Sequence, residues 1–177
     1  MLVKIRDEEI PAIVLLINEA YRGVTAAANW TSESGYIEGN RTTEKMIRQE
    51  LIEDPQSTVL KWQDDQDDTV LLGTVTIKPL ENGEWYIGSL ATDPKRQNLG
   101  LGKQLLSMSE QWIAQKGGKM IQLTVVNIRI KLIEWYIRRG YHLTTETQAF
   151  PYGDNRWGIP LRDDLSFVIL KKEVTPS

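Results

Sequence analysis

The sequence predicts a mixed α/β (α+β) fold in which helices cover a mostly antiparallel sheet, and three observations carry that expectation. Apolar residues recur at helical spacing in four stretches. Three strand-like runs follow one another in mid-chain, and one of them passes through a glycine turn into a helix and a further strand.

Residues 3–6 read as a first strand. Asp7-Glu8-Glu9 then opens a helix with Ile10, Ile13, Val14, Ile17 and Tyr21 on one face, and Pro11 falls in its first turn, where a missing N–H costs little. Residues 23–42 are polar and too long for a simple connection, so they form a candidate functional loop. A second helix is expected over 43–53, with Met46, Ile47, Leu51 and Ile52 inward, ending at Asp54-Pro55. Residues 57–63 and 69–78 read as strands around the acidic tip Asp64-Asp65-Gln66-Asp67-Asp68. Asn82-Gly83 is a turn signal before a strand over 85–92, which completes a meander closed by Asp93-Pro94.

A helix over 100–116 is marked by Leu101, Leu105, Met108 and Trp112 and stops at Gly117-Gly118. The apolar run 119–126 follows as a strand, so the unit implies a right-handed parallel crossover. A last helix is expected over 128–139, with Asn127 as its cap and Gly140 just past its end. Residues 141–149 and 165–173 would be the final strands, joined by the Pro/Gly/aromatic loop 150–164.

A length of 177 residues suits a single domain, and 41% hydrophobic with 25% charged residues is ordinary globular composition. No apolar run approaches a membrane span, and the amino terminus lacks the apolar core of a signal peptide. With no cysteine there are no disulfides, thiol nucleophiles or cysteine-bound zinc, and the cytoplasm is the expected location. A net charge of −3 and an isoelectric point near 5.3 argue against a nucleic-acid binder. His142 is the lone histidine, and the acidic tip lacks the spacing of a calcium loop, so no metal is expected.

The most informative stretch is Gln97-Asn98-Leu99-Gly100-Leu101-Gly102-Lys103, between strand and helix. Its glycines let the backbone approach a ligand, and the first helical amides lack internal partners and favour an anion. A P-loop would need glycine at Gln97 and Ser or Thr at Gln104; a Rossmann fingerprint would need glycine at Leu105. Both readings fail. A turn that merely joins strand to helix remains the alternative.

The Gln-x-x-Gly-x-Gly pattern after Leu90-Ala91-Thr92-Asp93-Pro94 resembles the acyl-CoA pyrophosphate loop of the GNAT superfamily of N-acetyltransferases. Asn127 followed by Trp135-Tyr136-Ile137-Arg138-Arg139-Gly140-Tyr141 is similar to that family's Asn...Tyr-x-x-x-Gly-aromatic segment, with Asn127 two residues farther from Tyr136 than is commonest. The element order matches over nearly the whole chain. The resemblance implies a GNAT fold: a mixed, mostly antiparallel sheet of about seven strands flanked by four helices, its fourth and fifth strands splayed apart.

It also implies acetyl-CoA as cosubstrate, with Leu90, Ala91 and Thr92 pairing with pantetheine, Gln97, Asn98, Leu99, Gly100, Leu101, Gly102 and Lys103 holding the pyrophosphate, and Asn127 nearby. Tyr136 would be the general acid; the alternative is an aromatic on a buried helix face. The proton acceptor is less well marked, because strand alternation puts Trp85 where many members carry glutamate. Glu84 and Glu33 are the base candidates, beside a water chain. Trp30, Glu33 and Arg41 are candidate acceptor contacts, with Glu33 meeting an ammonium and Arg41 a carboxylate, against the plainer reading of exposed charges or caps.

The expected activity is direct transfer of acetyl from acetyl-CoA to a small-molecule primary amine such as an amino acid, polyamine or short peptide. The alternatives are a non-catalytic acyl-CoA-binding module and a protein N-terminal or lysine acetyltransferase. Partners would be that amine and a second copy of the chain as homodimer, with neither nucleic acid nor membrane.

Overall fold

The computed structural model describes residues 1–23, 32–96 and 99–177. In chain order, β1 (Leu2–Lys4) leads through a tight turn at Asp7–Glu9 into α1 (Ile10–Arg22), and β2 (Ile37–Glu38) precedes α2 (Glu44–Glu53). The meander is β3 (Thr58–Gln63), β4 (Leu71–Pro79) and β5 (Glu84–Thr92). Then come α3 (Leu101–Gln115), β6 (Met120–Val126), α4 (Ile130–Ile137), β7 (His142–Ala149), β8 (Ile159–Pro160) and β9 (Ser166–Glu173). Seven strands form one sheet in the order β1-β3-β4-β5-β6-β9-β7, antiparallel throughout except for the β5–β6 pair. The expected mixed α/β fold, with four helices on a mostly antiparallel seven-stranded sheet among the described residues, is the fold observed.

Strand alternation separates two cores. Val59 and Ala91 pack with Ile10, Ile13, Ile17 and Ala20 of α1 and Ile47 of α2. Leu60, Val75, Ile77, Ile87, Ile121 and Leu123 pack on the other face with Leu105, Leu106 and Ile113 of α3 and Ile133 and Tyr136 of α4. Each fully buried Leu or Ile contributes about 1.5–3 kcal/mol. Ile52, expected inward on α2, is instead exposed, because the helix buries the stripe through Ile47 and Leu51 and position 52 lies a further 100° or so round.

The β5–β6 pairing is short. It runs only through Glu84↔Met120, Trp85↔Ile121 and Tyr86↔Gln122, and beyond Tyr86 the two strands diverge. On its other edge, β5 pairs Ala91 with Thr74 and Gly88 with Thr76, so Ser89 and Leu90 bulge opposite Val75, with Ser89 at φ 46°. Gly88 is needed beside this bulge: a Cβ there would lie 2.6 Å from the Tyr86 ring.

The other expected turns hold, with one correction. Gly117 at φ 84° and Gly118 donate to the carbonyls of Ala114 and Ile113, the Schellman arrangement that ends α3. Thr43 caps α2, its Oγ1 accepting from the Met46 N–H at 3.2 Å. Asn127 does not cap α4, which starts after Arg129. Its amide Nδ2 donates to the Asp164 carbonyl at 3.0 Å and its Oδ1 accepts from the Ser166 N–H at 3.1 Å, tying the end of β6 to the start of β9.

The two long irregular segments are joined to each other. β2 and β8 pair antiparallel, Ile37 with Pro160 and Glu38 with Ile159, so residues 33–41 and 150–164 form one ribbon. Two-residue strands of this kind leave no periodicity to read.

A side chain at Gly118 would sit 2.3 Å from Ile113 Cγ2 and 2.7 Å from Trp85 Cδ1. Gly118→Ala is therefore expected to destabilise the fold by about 1–3 kcal/mol through overpacking, read as a lower urea midpoint with an unchanged m value.

Candidate active site

The divergence of β5 and β6 leaves a cleft of about 350 Å3 between the end of β5, the start of α3 and the inner face of α4. Leu90, Ala91, Thr92, Gly100, Leu101, Gly102 and Lys103 all line it, as does Tyr136. Leu99 is 60% exposed and turned away from it. Gln97, Asn98 and Trp30 lie outside the described residues.

Gly100 takes the N-cap position of α3 at φ 69°, a left-handed conformation suited to glycine. A Cβ there would meet no atom of the described residues within 4 Å. The amides of Leu101, Gly102 and Lys103 belong to the first turn and have no carbonyl of their own helix to pair with. Positive charge surrounds them: Lys103, Arg96 and Arg139 also line the cleft. Arg139 stacks 4.0 Å from the centre of the Trp135 ring, and its buried Nε has no partner among the described residues. A diphosphate fits this donor set, and the apolar wall of Leu90, Ala91, Leu132 and Trp135 suits a pantetheine arm.

Tyr136 projects from α4 with 8% of its surface exposed, edge-on to Trp135 and Tyr141 at 5.0 and 5.6 Å. Burial, with Tyr21 close by, pushes its hydroxyl well above the usual phenol range, so it stays protonated at neutral pH.

The cleft residues that were not marked in the sequence as site residues include Tyr21, Arg129, Leu132, Trp135 and Arg139. The Tyr21 hydroxyl donates to the Leu90 carbonyl at 3.0 Å, in the bulge itself. Arg129 was hidden because the spacing drew attention to Asn127; the residue two places on is the one that reaches the cleft.

Glu33 is 3% exposed and surrounded by guanidinium groups: Arg22 Nη2 at 3.2 Å, Arg41 Nη1 at 3.4 Å and Arg129 Nη1 at 3.6 Å. Burial pushes its carboxyl up, but Arg41, Arg129 and Arg22 outweigh that and hold it below the usual carboxylate range. A carboxylate so held is a poor proton acceptor. Arg22 extends the network with bonds to the carbonyls of Gly39 at 3.0 Å and Trp157 at 2.8 Å, clamping the β2–β8 ribbon to α1.

Glu84 lies in a separate shallow surface pocket with Glu81 and Asn82, in an ion pair with Lys171 at 3.1 Å. Trp85, its neighbour, faces the core against Trp112, as strand alternation required. Neither glutamate is therefore placed as a free base beside Tyr136, and Asn127 does not line the cleft.

A second cavity, of about 360 Å3, starts at Ser89, next to Leu90 in the bulge. It is walled by Arg41, Met46, Glu50 and Glu53 of α2, Lys78, Arg156 and Trp157. Opposite charges face one another across it, including Lys78 and Asp54 at 3.2 Å. No group of acidic and histidine side chains able to hold a metal occurs among the described residues. No helix among them is long and apolar enough to cross a membrane.

Residues 24–141 match the model of the Acetyltransferase (GNAT) family. The chain belongs to this family. Among solved structures, the ribosomal-protein-S18-alanine N-acetyltransferase of Escherichia coli aligns at TM-score 0.68 and 13% identity, over 100% of this chain and 95% of that one. PaiA N-acetyltransferase of Thermoplasma acidophilum, solved with coenzyme A, aligns at 0.66 and 16%, over 98% of both chains. Nourseothricin acetyltransferase aligns at 0.54 and 20%, over 68% of this chain and 66% of its own. No curated protein matches the sequence. Identities this low carry the GNAT fold alone, and the neighbours range from a ribosomal-protein-alanine to a nourseothricin acetyltransferase.

The Glu33 network makes a prediction about stability. Glu33→Gln should cost about 3–5 kcal/mol at pH 7, since it leaves buried guanidiniums uncompensated. Because the folded-state pKa is depressed, the native carboxylate stabilises the fold above its unfolded value near 4.5 and loses that advantage as pH falls through the folded value. Urea midpoints of the two proteins should converge in acid.

Proposed function

We propose that the whole chain, residues 1–177, works as one acetyl-CoA-dependent N-acetyltransferase domain, moving acetyl to the primary amine of a small molecule by direct attack in a ternary complex. The observation that supports this best is the bulge at Ser89 and Leu90, with a phosphate-suited, partly apolar cleft on one side and a charged cavity on the other. Two reactants could meet at that bulge.

Bound acetyl-CoA would supply the acetyl thioester. The first amides of α3, with Lys103, Arg96 and Arg139, hold the diphosphate. Backbone groups of Leu90, Ala91 and Thr92, released by the splay, pair with the pantetheine amides, and the Leu90 N–H polarises the thioester carbonyl. Tyr136, kept protonated by burial, gives its proton to the departing sulfur while the amine nitrogen takes the acetyl carbon and gives up its own proton to water. Arg41 lines the second cavity, which supports a contact with a carboxylate of the acceptor. Glu33 serves as the anchor that holds Arg41, Arg129 and Arg22. Positioning can supply about 7–11 kcal/mol of the barrier, whereas a general base adds about 10²- to 10⁴-fold in rate, so a site without a carboxylate base still supports turnover.

Purified protein with acetyl-CoA and a panel of amines should release thiol. Binding without release across the panel would favour the acyl-CoA-binding module. Tyr136→Phe should lower kcat by about 10²- to 10⁴-fold with acetyl-CoA affinity nearly unchanged. Gly102→Asp should abolish acetyl-CoA binding in calorimetry, because a carboxylate would stand among the amides and lysine that receive the diphosphate.

A further inference from the structure

Around Ser89 and Leu90, where the two cavities approach each other, positive charge is in excess. Arg41 lines the second cavity and Arg129 the first, and both guanidiniums lie against the Tyr21 ring, at 4.1 and 5.9 Å from its centre. Tyr21 in turn bonds to the Leu90 carbonyl. Arg22, Arg41 and Arg129 share the single carboxylate of Glu33; no other carboxylate among the described residues lies within ion-pair distance of any of them. Residues 24–31, Val-Thr-Ala-Ala-Ala-Asn-Trp-Thr, contain no acidic side chain that could make up the difference.

The other groups around this point do not offset this charge. Tyr21, Tyr36, Tyr86 and Tyr136 are phenols. In the second cavity, Asp54 is matched by Lys78, and Arg156 by Asp154 at 2.7 Å. Glu53 is exposed on α2, where water and salt screen it; burial pushes the Glu50 carboxyl up, toward the neutral form, and Glu50 feels Lys78 and Arg41 but makes no ion pair with an arginine among the described residues.

Like charge beside a titrating group disfavours its charged form, so an ammonium entering this region is driven to lose its proton. We propose that the arginine excess stands in for a base, and that it selects acceptors whose amine is already substantially neutral near pH 7, the α-amino group of a peptide or amino-acid amide over a lysine-like ε-amine. This rests on the acetyl-transfer reading above. The same charge stabilises the oxyanion that forms when the nitrogen–carbon bond is made and the departing sulfur before it takes the proton of Tyr136. An α-amine has a pKa of about 7.7–8.0 and a lysine amine about 10.4, so their neutral fractions at pH 7 differ by about 230- to 420-fold.

The test pairs two forms of one short peptide, with either the α-amine or a single lysine ε-amine free, and follows thiol release from acetyl-CoA at pH 7. The expected result is kcat/KM at least about 100-fold higher for the α-amine, with the acidic limb of kcat against pH falling below the solution pKa of that amine. Arg41→Gln should move the limb up, and Arg41→Lys, which keeps the charge, should not. Equal use of the ε-amine, or a limb at or above the solution pKa in the native protein, overturns the inference and leaves the transferase reading intact. No release from either amine by protein that binds acetyl-CoA overturns both. The native chain alone decides these outcomes if the Arg41 variants do not fold.

Discussion

The whole arrangement depends on the parallel ladder between β5 and β6 stopping after three residue pairs. Backbone groups in a sheet interior are ordinarily consumed by their neighbours, and a ligand could not reach them. Here the extra length of the Ser89–Leu90 bulge re-aims the second half of β5 just as its parallel neighbour leaves, so polar main chain is exposed inside an otherwise apolar wall. The helix after β5 begins at the far end of that gap, its first amides directed at the same space. Strand divergence, bulge and helix start are thus one device.

What fills the opposite side is equally constrained. A buried carboxylate is costly unless compensated, and Glu33 is compensated three times over by arginines from α1, from residue 41 and from the segment before α4. That placement turns an irregular stretch of chain into a fixed wall. It also means that a glutamate attractive as a chemical participant from its loop setting acts through the cations it organises.

The helices, the meander and the crossover were legible because hydrophobic period and turn residues act locally: Leu101, Leu105 and the glycine pair at 117–118 announce α3 and its end without reference to anything distant. The same holds for the phosphate-suited turn. Contacts between segments far apart in sequence were not legible. The pairing of Ile37 with Pro160, the Tyr21 hydroxyl on Leu90 sixty-nine residues away and the convergence of Arg22, Arg41 and Arg129 leave no periodic signature. Asn127 illustrates the converse: a polar residue before a helix reads as a cap, yet the nearest unmet backbone groups belonged to the start of β9.

Arg22 holds the carbonyls of Gly39 and Trp157 in one hand, so to speak, and β2 and β8 are hydrogen-bonded beside them. The consequence concerns redesign. Residues near 40 and near 157 cannot be varied as independent loops: lengthening either would pull the shared strand pair out of register, so libraries aimed at new acceptors must diversify the two together while keeping position 22 arginine.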